Sequence, residues 1–116
     1  MEIDHKRLNR VDLLKLSGRL DAMHAPALKR EIEQLFNQNR YRIVLDLLDL
    51  EYIASPGLRV LIESRKRARD KKITDMEGGD LRIANLTPRI KEVFDLTGFT
   101  ALFDIYPDTT EAVGSF

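Results

Sequence analysis

The chain has 116 residues with no cysteine and no tryptophan, and its 19 basic and 19 acidic side chains cancel. That length suits one domain with its own core, the missing thiols exclude a disulfide framework and thiolate metal sites, and the neutral balance removes any global attraction to nucleic acid or an anionic membrane. The charged start, Met1 to Arg7, and the lack of any run near the roughly 20 apolar residues of a membrane span lead to the expectation of a soluble cytoplasmic protein that touches neither membrane nor nucleic acid directly.

In chain order, Ile3–Leu8 and Val11–Ser17 flank Asn9 and Arg10 and read as an opening β-hairpin. The second run has Val11 and Leu13 on one face and Leu14 and Leu16 on the other, so it is predicted as a central strand covered on both sides. Gly18 and Asp21 are predicted in the loop that follows. Pro26 marks a helix start, and Leu28, Ile32, Leu35 and Phe36 recur at helical spacing from Ala25 to about Asn37. Ile43, Val44 and Leu45 form a continuous apolar triplet suited to a doubly covered strand. A helix from Pro56 to about Lys71 follows, its stripe supplied by Leu58, Leu61, Ile62 and Ala68.

A turn over 76–80 leads to a strand at Leu81–Ala84. Thr87 and Pro88 then give a cap-and-proline helix start, Ile90, Val93, Phe94 and Leu96 form its stripe, and Gly98 is placed as its C-terminal left-handed residue. Phe103–Tyr106 as a strand and a short helix over Asp108–Val113 complete the order. Strands alternating with helices imply parallel pairing, and the hairpin imposes one antiparallel pair. The predicted fold class is α/β: a single domain over residues 1–116, with a mixed, mostly parallel sheet of about five strands and about four helices.

The junction at Ser55 carries the most chemistry. Read as an N-cap, Ser55 puts Pro56 at the first helical position, where its fixed φ suits the helix and its missing N–H is no loss. Its hydroxyl then lies among unpaired donors at the positive end of the helix dipole. A phosphate added there would be held by those donors and would place about −1.5 to −2 charges on the surrounding surface. The plainer alternative is a cap and nothing more, worth about 1 kcal/mol.

No catalytic residue, metal or cofactor is expected. Gly-x-Ser-x-Gly is absent, and the only histidines, His5 and His24, read as solvated side chains without metal spacing. Asp46 and Asp49 read as solvated strand-end or loop groups, and Gly78-Gly79 as a turn instead of a phosphate cradle. Six basic residues fall among the eight from Arg65 to Lys72, which reads as a solvated helix end complementing the helix dipole.

Four segments together resemble a family: Leu16-Ser17-Gly18-Arg19-Leu20-Asp21, Ile43-Val44-Leu45-Asp46-Leu47, Tyr52-Ile53-Ala54-Ser55-Pro56-Gly57-Leu58 and the stretch from Ile90 to Phe99. They are similar to those of STAS domains, specifically the free-standing bacterial anti-sigma factor antagonists, and the resemblance covers nearly the whole chain. It implies partner switching. The unphosphorylated antagonist binds an anti-sigma factor that is also a serine kinase and so frees a sigma factor; phosphorylation ends that complex and a PP2C-type phosphatase resets it. Ser55 matches the phosphoacceptor, and Asp21, Ala54, Ser55, Pro56, Gly57 and Leu58 match the partner-binding surface.

The chain departs from the family in two places: Ala54 stands where an Asp is usual, and Pro56 where Ser or Thr is usual. The connection through 73–77 is a few residues longer. Two other roles fit the residues less well: a STAS scaffold module of a sensory or transport assembly that is never phosphorylated, and a small metal-dependent phosphate-handling enzyme using Asp46 and Asp49.

Overall fold

The alternation that sends Leu14 and Leu16 to one side of their strand and Val11 and Leu13 to the other is realised as two cores on opposite faces of one sheet. The computed structural model describes residues 1–72 and 78–116. Strands β1 (Glu2–Arg7) and β2 (Asp12–Leu20) form the hairpin and are followed by α1 (Ala25–Asn37), β3 (Arg42–Ile53) and α2 (Ser55–Asp70). Then come β4 (Asp80–Ala84), α3 (Pro88–Leu96), a 3-10 turn (Phe99–Leu102), β5 (Ile105–Tyr106) and α4 (Thr109–Gly114). The strands lie side by side in sequence order, β1 antiparallel to β2 and each later neighbour parallel.

Leu28 and Ile32 of α1, Leu58 and Leu61 of α2, and Ile90 and Phe94 of α3 pack with Leu14, Leu45 and Ile83 in the larger core. Ala112 of α4 closes the smaller one with Val11, Val44 and Ala84. As expected, β2 lies inside the sheet with cover on both faces; β1 forms its edge, where Ile3 and the preceding Met1 lean on the core.

Four features differ from expectation, one being the last strand, which pairs with β4 only over Ile105–Tyr106 and not from Phe103, whose side chain is buried in the larger core. Strand β2 does not stop at Ser17: the register shifts at Lys15/Ser17 and again at Gly18/Arg19, Gly18 takes φ 93°, and pairing with β3 continues to Leu20. A glycine that reads as a loop here absorbs an irregularity inside a strand. Strand β3 likewise runs on past Asp46 to Ile53, because Leu47, Leu50 and Ile53 are still buried in the larger core. The 3-10 turn at Phe99–Leu102 was not anticipated, although Gly98 before it has the expected left-handed backbone at φ 76°.

The basic end of α2 is solvated as expected at Lys66, Arg67, Arg69, Lys71 and Lys72, while Arg65 is half-buried, and some of these charges also cover aromatic rings. Arg67 lies over the Phe36 ring at 4.9 Å, Lys71 over Tyr41 at 5.6 Å and Arg65 over Phe103 at 5.8 Å, while Phe36 and Tyr41 stack at 4.8 Å. Guanidinium and ammonium groups on ring faces cover apolar surface with their stems while keeping their charge at the rim. Lys72 and Gly78 form an isolated antiparallel bridge. The longer connection, 73–77, lies outside the described residues.

Candidate functional site

Parallel strands β2 and β3 end together, with Leu20 opposite Ile53, so the segments that follow them are neighbours. The Ala54 N–H donates to the Leu20 carbonyl at 3.0 Å, which ties the two ends. That bond makes Ala54, in extended conformation, the N-cap of α2. Ser55 is therefore the first helical residue and Pro56 the second, one position later than the sequence suggests. The cap side chain is a methyl group and accepts nothing.

Displacing Ser55 from the cap position frees its hydroxyl. The side chain is exposed, and among the described residues the hydroxyl has no hydrogen-bond partner. The plainer reading, a serine that merely caps, is thereby removed. The first intrahelical bond runs from the Leu58 N–H to the Ala54 carbonyl at 3.1 Å. Pro56 has no N–H, so the amides of Ser55 and Gly57 are the donors left at the helix mouth.

Gly57 and Leu58 are buried and form the floor of the mouth instead of offering it surface. A Cβ at Gly57 would stand 2.6 Å from Leu20 Cγ and 2.8 Å from Leu20 O. This glycine is needed for close approach of α2 to β2.

Asp21 follows Leu20 directly. Its Oδ1 accepts from the Met23 and His24 N–H groups, each at 3.1 Å, and lies 2.7 Å from His24 Nδ1. Partial burial pushes the Asp21 carboxyl up, but the His24 ring, the His24 and Met23 amides and the charge attraction to His24 outweigh it and hold the group below its ordinary value. Asp21 thus organises the entry to α1, while Met23, at 82% exposure, stands out at the tip of the same turn.

On the other side of the mouth, Ser55, Leu58, Arg59, Ile62 and Glu63 of α2 face Thr97 and Phe99 across a cleft of about 310 Å³. Arg59 and this far wall were missed by sequence reasoning. The four-residue spacing from Ser55 to Arg59 was there to be read, whereas Thr97 and Phe99 reach the cleft only through the packing of α3 and the 3-10 turn.

Other candidates disperse. Asp46 is buried, not solvated: its Oδ1 accepts from the Leu48 N–H and from Asn85 Nδ2, both at 3.0 Å, and so ties β3 to the end of β4. Asp49 is half exposed and sits 3.0 Å from Lys15 Nζ, holding that ammonium above its usual range. Among the described residues no cluster of three or more His, Cys, Asp or Glu could hold a metal. His5 is not a free side chain either, since its Nε2 is 2.7 Å from the buried Asp12. No helix among the described residues is long and apolar enough to cross a membrane.

The model of the STAS domain matches residues 2–112. The chain belongs to the STAS domain family. The anti-sigma-B factor antagonist of Bacillus subtilis is 28% identical over 105 residues, spanning 90% of each protein. Among solved structures, an anti-sigma factor antagonist from Mycobacterium paratuberculosis superposes with a TM-score of 0.81 at 23% identity, covering 98% of this chain and 92% of that one. The phosphorylated form of the Bacillus cell fate determinant SpoIIAA superposes at 0.70 with 17% identity, covering 98% of both chains. These likenesses carry the fold: a STAS domain with its hairpin edge, mixed five-stranded sheet and four helices.

Proposed function

We propose that this STAS domain is an anti-sigma factor antagonist that works by partner switching, with Ser55 as its phosphoacceptor. Unphosphorylated, it binds an anti-sigma factor that is also a serine kinase, so that a sigma factor is released. Phosphate on Ser55 ends the complex, and a PP2C-type phosphatase restores it. The observation that carries this reading is the Ser55 hydroxyl: exposed, unengaged, and at the mouth of a 16-residue helix beside the Asp21 turn. The docking surface comprises Asp21, Ala54, Ser55 and Pro56, with Gly57 and Leu58 shaping it from below.

The physics suits a reversible contact. A phosphate adds bulk and nearly two negative charges where a partner must lie close, and an unpaired charge desolvated in an interface costs several kcal/mol, more than a hundredfold in occupancy. Incubation with its cognate kinase and labelled ATP should place label on the parent protein and none on Ser55→Ala; equal labelling of the two would remove Ser55 from the mechanism.

Ala54 and Pro56 favour a second reading, a STAS scaffold that is never modified, because Ala54 offers a kinase no carboxylate and Pro56 withdraws a donor from the mouth. A pull-down separates the two: a histidine-kinase-like ATPase supports the switch, and a multi-subunit assembly free of phosphoserine supports the scaffold.

A further inference from the structure

Helix α2 carries four arginines, and three of them are occupied. Arg65 lies over Phe103 and 3.8 Å from Asp80, Arg67 over Phe36 and 3.6 Å from Glu33, and Arg69 3.8 Å from Asp80. Arg59 differs: it is exposed and, among the described residues, has no hydrogen bond, ion pair or ring contact, although Glu63 one turn on lines the same cleft. One turn in the other direction is Ser55, on that same wall. Helical side chains lean toward the N-terminus, so an arginine four residues after a serine reaches back over it.

We propose that Arg59 is a positioning residue for the phosphate of Ser55, folding it along α2 into the cleft facing Thr97 and Phe99. The proposal rests on Ser55 being the acceptor. Guanidinium and phosphate are matched in geometry as well as charge, two N–H groups meeting two oxygens. The Ser55 and Gly57 amides lie on the helix side of the same group, and Pro56 contributes no competing donor. Phosphorylation then does two things at once: it adds negative charge at the mouth and removes the free positive charge one turn along.

The test does not need the kinase. With Ser55→phosphoserine introduced by an expanded genetic code, the second ionisation of the phosphate is followed by phosphorus NMR in the otherwise unchanged protein and in Arg59→Gln and Arg59→Lys backgrounds. The dianion is the form an arginine favours, so the titration with Arg59 present should lie about 0.3 pH unit below that of Arg59→Gln, with Arg59→Lys between them and the difference erased near 1 M salt. Coincident curves for the Arg59 and Arg59→Gln proteins would overturn the clamp. A displaced curve without any kinase labelling of Ser55 would sink the functional reading and leave the clamp standing; labelling with coincident curves would do the reverse.

Discussion

The two ends of the parallel strands treat their polar groups in opposite ways. Where the strands begin, Asp12 of β2, Arg42 of β3 and Asp80 of β4 are all buried. Asp12 is shared by His5 at 2.7 Å and Arg40 at 2.6 Å, and Arg40 goes on to donate to the Leu8 carbonyl at 2.8 Å, so one carboxylate ties the hairpin to the turn before β3. Asp80 accepts from the Leu81 N–H at 2.8 Å and from Arg82 Nε at 3.0 Å. Where the strands end, the Ser55 hydroxyl and the Arg59 guanidinium are exposed and uncommitted. Burial forces polar groups to find partners, so a polar group without one at the surface has been left available. At the mouth of α2 two such groups, Ser55 and Arg59, stand one turn apart on the wall of one cleft.

The largest way to break the comparison is Asp12→Ala. It strands Arg40 with no counter-charge in a largely buried position, and a loss of about 3 kcal/mol is expected in urea unfolding. A loss below about 1 kcal/mol would mean that the beginning of the sheet is no more committed than its end.

Gly57→Ala comes next. The added methyl meets Leu20 at its carbonyl as well as its side chain, and the carbonyl cannot swing away because it holds Ala54. A destabilisation of about 2 kcal/mol follows from overpacking, against the stabilisation a helical glycine-to-alanine change gives in open space. A stability gain in thermal unfolding would show that α2 and β2 are free to part.

The smallest effect concerns pH. The Asp21 carboxyl is held below its ordinary value, so its ionised form supports the fold: that support is complete above the ordinary carboxylate range near pH 4 and fades as the pH falls through the folded value. Asp21→Asn should flatten the acid limb of the stability curve by lowering the neutral region slightly while leaving the acid end little changed. An unchanged acid limb would detach Asp21 from the entry to α1.

Much of this fold could be read from the residues alone. Helix α1 runs over Ala25–Asn37, as its apolar spacing indicates, and α3 starts at Pro88 after Thr87 and closes at Gly98, since caps, prolines and left-handed glycines act locally. What escaped depends on partners far along the chain. Gly18 reads as a turn until β3 is beside it to keep the strand going. Ser55 reads as a cap until the Ala54 N–H finds Leu20. Asp46 and His5 read as solvated until Asn85 and Asp12 are placed against them. The candidate site divides in the same way: the sequence puts Ser55 and Asp21 just after neighbouring strands, while Thr97 and Phe99 reach the cleft only through packing.

The single bond from Ala54 to Leu20, with Gly57 seated against the same residue, has one more consequence. The Ser55 hydroxyl is mounted on a frame already fixed to β2, so under the proposed switch a phosphate would be added or removed there without rearranging the chain. A switch so built would keep its message as chemistry on a stationary post, with the time to rewrite it set by the visiting enzymes and not by the protein they mark.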